Sequence, residues 1–183
     1  MASAFGHAVA SLALGSTGIV KRMQGKLLLM GVIVSILPDA DSIGFKLGVP
    51  YDSFWGHRGF THSIVFAVLL SIVLVFAFYW SKTAKEKMRI FIFLFLSCVS
   101  HAILDAMTTG GLGVAFFSPF NDHRYFFPFR PIKVSPISIS AFLNGKGLAV
   151  LKSELVWIVL PSIGLILFLF IIKKGKKSTS STQ

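Results

Sequence analysis

Residues 90–107 read IFIFLFLSCVSHAILDAM. The run is close to the length of about 20 apolar residues that crosses a bilayer as a helix. Its only two ionisable side chains besides Cys98 stand near its end, His101 and Asp105. They are four residues apart, so they share one face of a helix. An ionisable group inside a membrane segment is costly, and its presence points to function. Histidine nitrogen beside carboxylate oxygen is a donor set for a divalent metal.

The chain around this stretch is of the same kind. It holds 54% hydrophobic residues, including 19 Phe, and only 14% charged ones over 183 residues. With a mean hydropathy of +0.77, that exceeds what a soluble core of this size needs. Further apolar stretches run from Ser63 to Trp80 and from Leu155 to Ile172, and shorter, small-residue-rich ones from Ala4 to Val20 and from Leu27 to Leu37. The reading is an all-α, polytopic membrane bundle of about five helices. Residues 1–172 form a single integral membrane domain, and residues 173–183 a basic, disordered tail. The two shorter stretches belong inside the bundle, where small residues let helices approach. A signal peptide carries its positive charge before its apolar run. Here Lys21, Arg22 and Lys26 follow it, which implies an uncleaved first helix. Cys98 has no partner for an intrachain disulfide and reads as a packing residue.

The net charge of +11 does not imply nucleic acid, because none of the usual binding modules is present. The cations fall between helices one and two (Lys21, Arg22, Lys26), between three and four (Lys82, Lys85, Lys87, Arg89) and after five (Lys173, Lys174, Lys176, Lys177). Five spans with the amino terminus outside put all three groups, and the carboxyl tail, in the cytoplasm. That threading sends His7, Asp39, Asp41, His57, His62, His101 and Asp105 to the other face, although none of them entered the charge argument. A connection from Gly110 to Glu154 would lie on that face too. Its aromatic run Tyr125-Phe126-Phe127-Pro128-Phe129-Arg130-Pro131 suits the membrane interface, or a cover over a site.

These residues suit zinc first, with manganese, iron or nickel as alternatives and no thiolate to favour a softer metal. We expect His7, Asp39, His62, His101 and Asp105 as ligands of one or more ions. Asp41 and His57 are further ligands or a general base. His57 and His62 are five apart, about 140° on a helix, so His57 must lie on the loop before helix three, where Gly56 and Gly59 permit irregular backbone. Pro38 ends helix two and leaves Asp39 at its terminus. Arg58 would clamp an anion through its planar fork. Thr61, Ser63, Thr108 and Thr109 would orient the ligands, and His123 and Arg124 would face substrate. The bland readings are structural hydrogen bonds for His7, an interhelical pair for His101 with Asp105, and capping for the two aspartates. Paired metals clamp a phosphoester during displacement, so the functional reading is a metal-dependent hydrolase acting on a lipid-like phosphoester. An ion-transport site and a metal-stapled scaffold are its rivals.

The motifs His57-Arg58-Gly59-x-Thr61-His62-Ser63, Asp39-x-Asp41 and Ser100-His101-x-x-x-Asp105-x-x-Thr108-Thr109 resemble the YdjM-like family. An early histidine such as His7, and a loop such as Pro119-Phe120 through Arg124-Tyr125, also fit it. The resemblance covers His7 to about Pro131. It implies a bacterial inner-membrane protein with a divalent-metal site, under a family label of LexA-binding, metal-dependent hydrolase. LexA association follows from that label alone.

Overall fold

The computed structural model describes residues 1–21 and 23–180. Arg22 and the last three residues of the expected tail lie outside the described residues. The architecture is all-helical, and among the described residues there are no strands, only two isolated bridges, Thr108 with Ile132 and Val114 with Tyr125. Helix α1 spans Ala4–Ser16, α2 Gly25–Ile36, α3 Ile64–Phe78 and α4 Ala84–Ala106. A fifth helical body combines the single turn α5 (Ile139–Ala141), α6 (Gly147–Glu154) and α7 (Leu160–Ser180), joined by wider turns at Phe142–Lys146 and Leu155–Val159. Its first joint is kinked, with Asn144 and Gly145 outside helical geometry.

Among the described residues, three helical stretches are long and apolar enough to cross a membrane: Gly25–Leu47, Ala84–Ala106 and Phe142–Lys174. The first of these is longer than the sequence suggests. Pro38 does end α2 as an α-helix, but its fixed φ suits a helical first turn. The chain therefore tightens into a 3-10 helix over Leu37–Leu47 instead of leaving as a loop. Asp39 and Asp41 sit in that tightened stretch. The fifth body also begins earlier than expected, so the connection after α4 covers residues 107–138 rather than reaching Glu154. From Lys173 the chain continues as helix through Ser180.

Helix crossings are made close by small residues. A Cβ on Gly31 of α2 would stand 2.4 Å from Cζ of Phe93 on α4, and one on Gly6 of α1 would stand 2.9 Å from Ile158. Ser11 of α1 donates to Ser97 of α4 at 3.1 Å. Leu27, Val34, Ala67, Val75, Phe93, Leu94 and Cys98 form the main apolar core. Outward faces, such as Leu69, Val73 and Phe76 on α3 and Phe168 and Ile171 on α7, are exposed and apolar, as lipid contact requires. The basic groups meet at one end of the bundle. Lys26 lies over the Phe78 ring at 5.3 Å, and Lys173 donates to the Ser16 carbonyl at 3.1 Å. The histidines and aspartates gather at the other end.

Candidate metal centre

Four elements deliver five donor groups. His7 comes from the first turn of α1, Asp39 from the 3-10 stretch, His62 from a short 3-10 turn (Phe60–His62), and His101 and Asp105 from the last turns of α4. All five side chains are buried. Nε2 of His7 lies 3.4 Å from Asp105 and 3.9 Å from Asp39. Nε2 of His62 lies 3.6 Å from Asp39 and 3.7 Å from Asp105, and Nε2 of His101 lies 3.4 Å and 4.0 Å from the same two carboxylates. The His62 and His101 Nε2 atoms are 2.9 Å apart, and the His7 and His101 rings stack at 3.8 Å.

The donor atoms of Asp39, His62, His101 and Asp105 all lie within 4.8 Å of one another and could hold one ion, with His7 at the edge of that set. Ligands held at about 2.1 Å stand about 3.0 Å apart at a right angle and at most about 4.2 Å apart on opposite sides. The separations here, 2.9 to 4.0 Å, fall close to that interval. Several of these side-chain atoms lack a hydrogen bond. Both nitrogens of His7, both oxygens of Asp39 and Oδ2 of Asp105 are buried without a hydrogen bond. Each such orphan costs about 1–3 kcal/mol when nothing satisfies it, and a cation would satisfy most of them at once.

The surrounding residues hold this donor set in place. His101 turns its other nitrogen, Nδ1, to the Ser35 carbonyl at 2.8 Å. Nδ1 of His62 faces Asp41 at 3.2 Å. Both arrangements leave Nε2 for the centre, as metal-binding histidines require. Asp41 is a hub. It also meets Nδ1 of His57 at 2.6 Å, and it accepts from Thr61 Oγ1 at 2.7 Å and from the Arg58 backbone N–H at 3.1 Å. Asp41, His57 and His62 thus form a second set of potential ligand atoms next to the first. Burial opposes charge on His62, in the loop before α3, yet the carboxylates of Asp105, Asp39 and Asp41 overcome it and raise the imidazole to about 10. The site favours positive charge at its centre.

His57 does lie on the loop, as its spacing from His62 requires. Gly56 and Gly59 are fixed there by close backbone approach, since a Cβ would stand 2.2 Å from the Tyr51 carbonyl oxygen at Gly56 and 2.3 Å from that of Phe54 at Gly59. Arg58 between them has a left-handed φ of 65°. Its side chain differs from the expected anion clamp. It is fully buried, with Nε 3.0 Å from Asp105 in an ion pair that is not an aligned hydrogen bond, while its Nη atoms donate to the Gly110 carbonyl and to Thr108 Oγ1 at 2.9 and 3.0 Å. It positions Asp105.

Thr61 and Thr108 thus support the ligands or Arg58, whereas Ser63 caps α3 by accepting from Phe66 N–H. Thr109 accepts from the Val134 amide and pins the loop. Arg124 is committed to the carbonyls of His57, Tyr51 and Ser53, and burial lowers its pKa. It staples the histidine loop. His123 is exposed against Tyr125, with ring centroids 4.7 Å apart. The 107–138 connection covers the centre, with Ala115 N–H donating to the Arg58 carbonyl and Phe127 N–H to that of Ala106.

Sequence reasoning missed the fifth body's part. Buried Glu154 accepts from the Ser3 backbone and from Ser3 Oγ at 2.6 Å, and the neighbouring Ala2 amide donates to Asp105 at 2.7 Å. The available signal was that Glu154 is one of only two glutamates in the chain and opens an apolar span.

The fold and this cluster define an integral helical membrane protein with a His/Asp donor set buried at one end of the bundle. The chain belongs to the YdjM inner membrane protein family, whose model matches residues 1–177. It is 41% identical over 158 residues to inner membrane protein YbcI of Escherichia coli (strain K12), covering 86% of this chain and 90% of the relative. No solved structure matches it. The resemblance drawn from the motifs is therefore borne out. Both names give a location and no activity.

Proposed function

We propose that the protein is a divalent-metal-dependent hydrolase of the inner membrane, acting on a phosphoester of lipid-like character at the outer face. The observation that carries the reading is the close approach of Asp39, His62, His101 and Asp105, whose donor atoms all lie within 4.8 Å of one another, with His7 beside them at 3.4 Å from Asp105 and both Asp39 oxygens buried without a hydrogen bond. His and carboxylate donors favour zinc, manganese or iron. A divalent ion there would make water nucleophilic near neutral pH and polarise a phosphoryl oxygen.

The chain's own residues have separate tasks in this scheme. Asp41 holds His57 at 2.6 Å, which fixes the imidazole's orientation and leaves its other nitrogen as a proton acceptor. The same carboxylate orients His62. Arg58 holds Asp105 in place through a 3.0 Å ion pair. The covering loop, closed by buried Val114, Ala115 and Ile132, keeps bulk water out. The lipid-like substrate is favoured by the setting, a site at the end of membrane helices beneath an aromatic loop. Phe129 and Phe127 are exposed there, and Arg130 lies over the Phe126 ring at 4.6 Å.

The test is turnover of a chromogenic phosphodiester by the full chain in detergent micelles. Activity should vanish with chelator, return with zinc or manganese, and be lost in His57→Gln while bound metal remains. Metal retained without turnover of phosphomonoesters, phosphodiesters or phospholipids would replace this reading with a metal-stapled scaffold, which the burial of the five donors would then explain.

A further inference from the structure

At the end of the bundle opposite the metal centre, the turn after α1, the end of α3 and the first turns of α4 enclose a cavity of about 440 Å³. Its rim carries Lys21, Lys82 and Arg89, and its floor is apolar, with Leu27 and Ile90. Tyr79, which closes α3, lines the same cavity. It is 7% exposed, and its hydroxyl has no hydrogen-bond partner. A buried phenol without a partner is uncommon, because its desolvation goes uncompensated. One acid, Glu86, is present. Its carboxylate is engaged by the Thr83 backbone and hydroxyl in the α4 capping box, and it stands 4.0 Å from Lys82. Three cations therefore face one committed carboxylate. Arg89 and Asp105 are sixteen residues apart on one helix, about 24 Å at 1.5 Å per residue. The cavity is thus separate from the metal centre.

We propose that this cavity binds a phosphate group carrying an apolar substituent. Arg89 and Lys82 would pair with the phosphate oxygens, the Tyr79 hydroxyl would donate to one of them, and Leu27 and Ile90 would take the adjoining aliphatic part. The phosphate can come from an anionic phospholipid headgroup or from a free phosphate compound. The apolar floor and the position at the end of membrane helices are common to both.

The experiment uses the full chain in detergent micelles, with phosphatidylglycerol, phosphatidylcholine and inorganic phosphate as probes. Native mass spectrometry counts retained lipid, and thermal shift reads phosphate. One phosphatidylglycerol per chain is expected, retained in preference to phosphatidylcholine and weakened about tenfold in Lys82→Gln/Arg89→Gln, since each pairing involves a charged group. Tyr79→Phe should weaken binding several-fold while leaving the lipid-free melting temperature unchanged, because its hydroxyl has no protein partner to lose. If the double variant does not fold, Tyr79→Phe alone decides the matter. A response to inorganic phosphate that phosphatidylglycerol does not compete with, abolished in the same variants, would assign the site to a free phosphate compound. Equal retention of both lipids with no phosphate response, or binding unaffected by Tyr79→Phe, would overturn the proposal.

Discussion

Removing the Arg58 guanidinium tests how the donor cluster is held together. Arg58 is 0% exposed and contacts Asp105, Thr108 and the Gly110 carbonyl. In Arg58→Ala, Asp105 stays buried and loses its nearest cation, the amino-terminal ammonium at 3.9 Å remaining, and breaking a buried pair in this way costs about 3–5 kcal/mol. For a chain of this size that corresponds to a fall in Tm on the order of 10 °C. Arg58→Gly loses the same contacts but relaxes the φ of 65°, and a left-handed L-residue carries about 1–2 kcal/mol of strain. The glycine variant should therefore melt a few degrees above the alanine variant. A bound divalent cation replaces the positive charge lost with Arg58, so zinc should shrink the deficit of both variants. The assay is thermal unfolding in micelles with chelator and with zinc. Wild-type melting of the chelated alanine variant would refute the positioning role, as would a deficit that zinc leaves unchanged.

Thr61→Val removes the 2.7 Å hydroxyl donation to Asp41 and should lower zinc affinity about tenfold, measured by competition with a chromophoric chelator; unchanged affinity would remove Asp41 from the ligand-orienting role. Gly31→Ala puts a Cβ 2.4 Å from the Phe93 ring and should destabilise the bundle by about 1–3 kcal/mol. Phe93→Leu should partly restore it, and independent effects of the two changes would contradict the α2–α4 contact. A reporter fused after Lys87 should read cytoplasmic and one near Asn121 periplasmic, and the reverse result would invert the proposed orientation.

Most of the fold and nearly all of the cluster were legible because few residues in an apolar chain can be polar without a reason. His101 and Asp105 announced themselves by spacing inside one span, and the charge pattern assigned His7, Asp39 and His62 to the same end. The 3-10 continuation past Pro38 was not legible, since proline marks where an α-helix ends and leaves the conformation of the next residues open. Arg58 was misread for a different reason. A guanidinium's chemistry suits a substrate anion and a buried carboxylate equally, and only the folded loop shows which of them it meets. Ser63 and Thr109 were hydroxyls near ligands in sequence that cap α3 and pin the loop. Glu154 was hidden because its partners, Ser3 and the segment that reaches Asp105, lie 151 residues away.

The central claim is that Asp39, His62, His101 and Asp105, with His7 beside them, hold a divalent ion, and metal content per chain tests it most directly. Elemental mass spectrometry on the purified full chain, incubated with zinc and then freed of loose metal, should find at least one equivalent in the wild type and a loss of that equivalent in His101→Ala and in Asp39→Asn. A folded wild type without metal, or variants that retain it in full, would contradict the account.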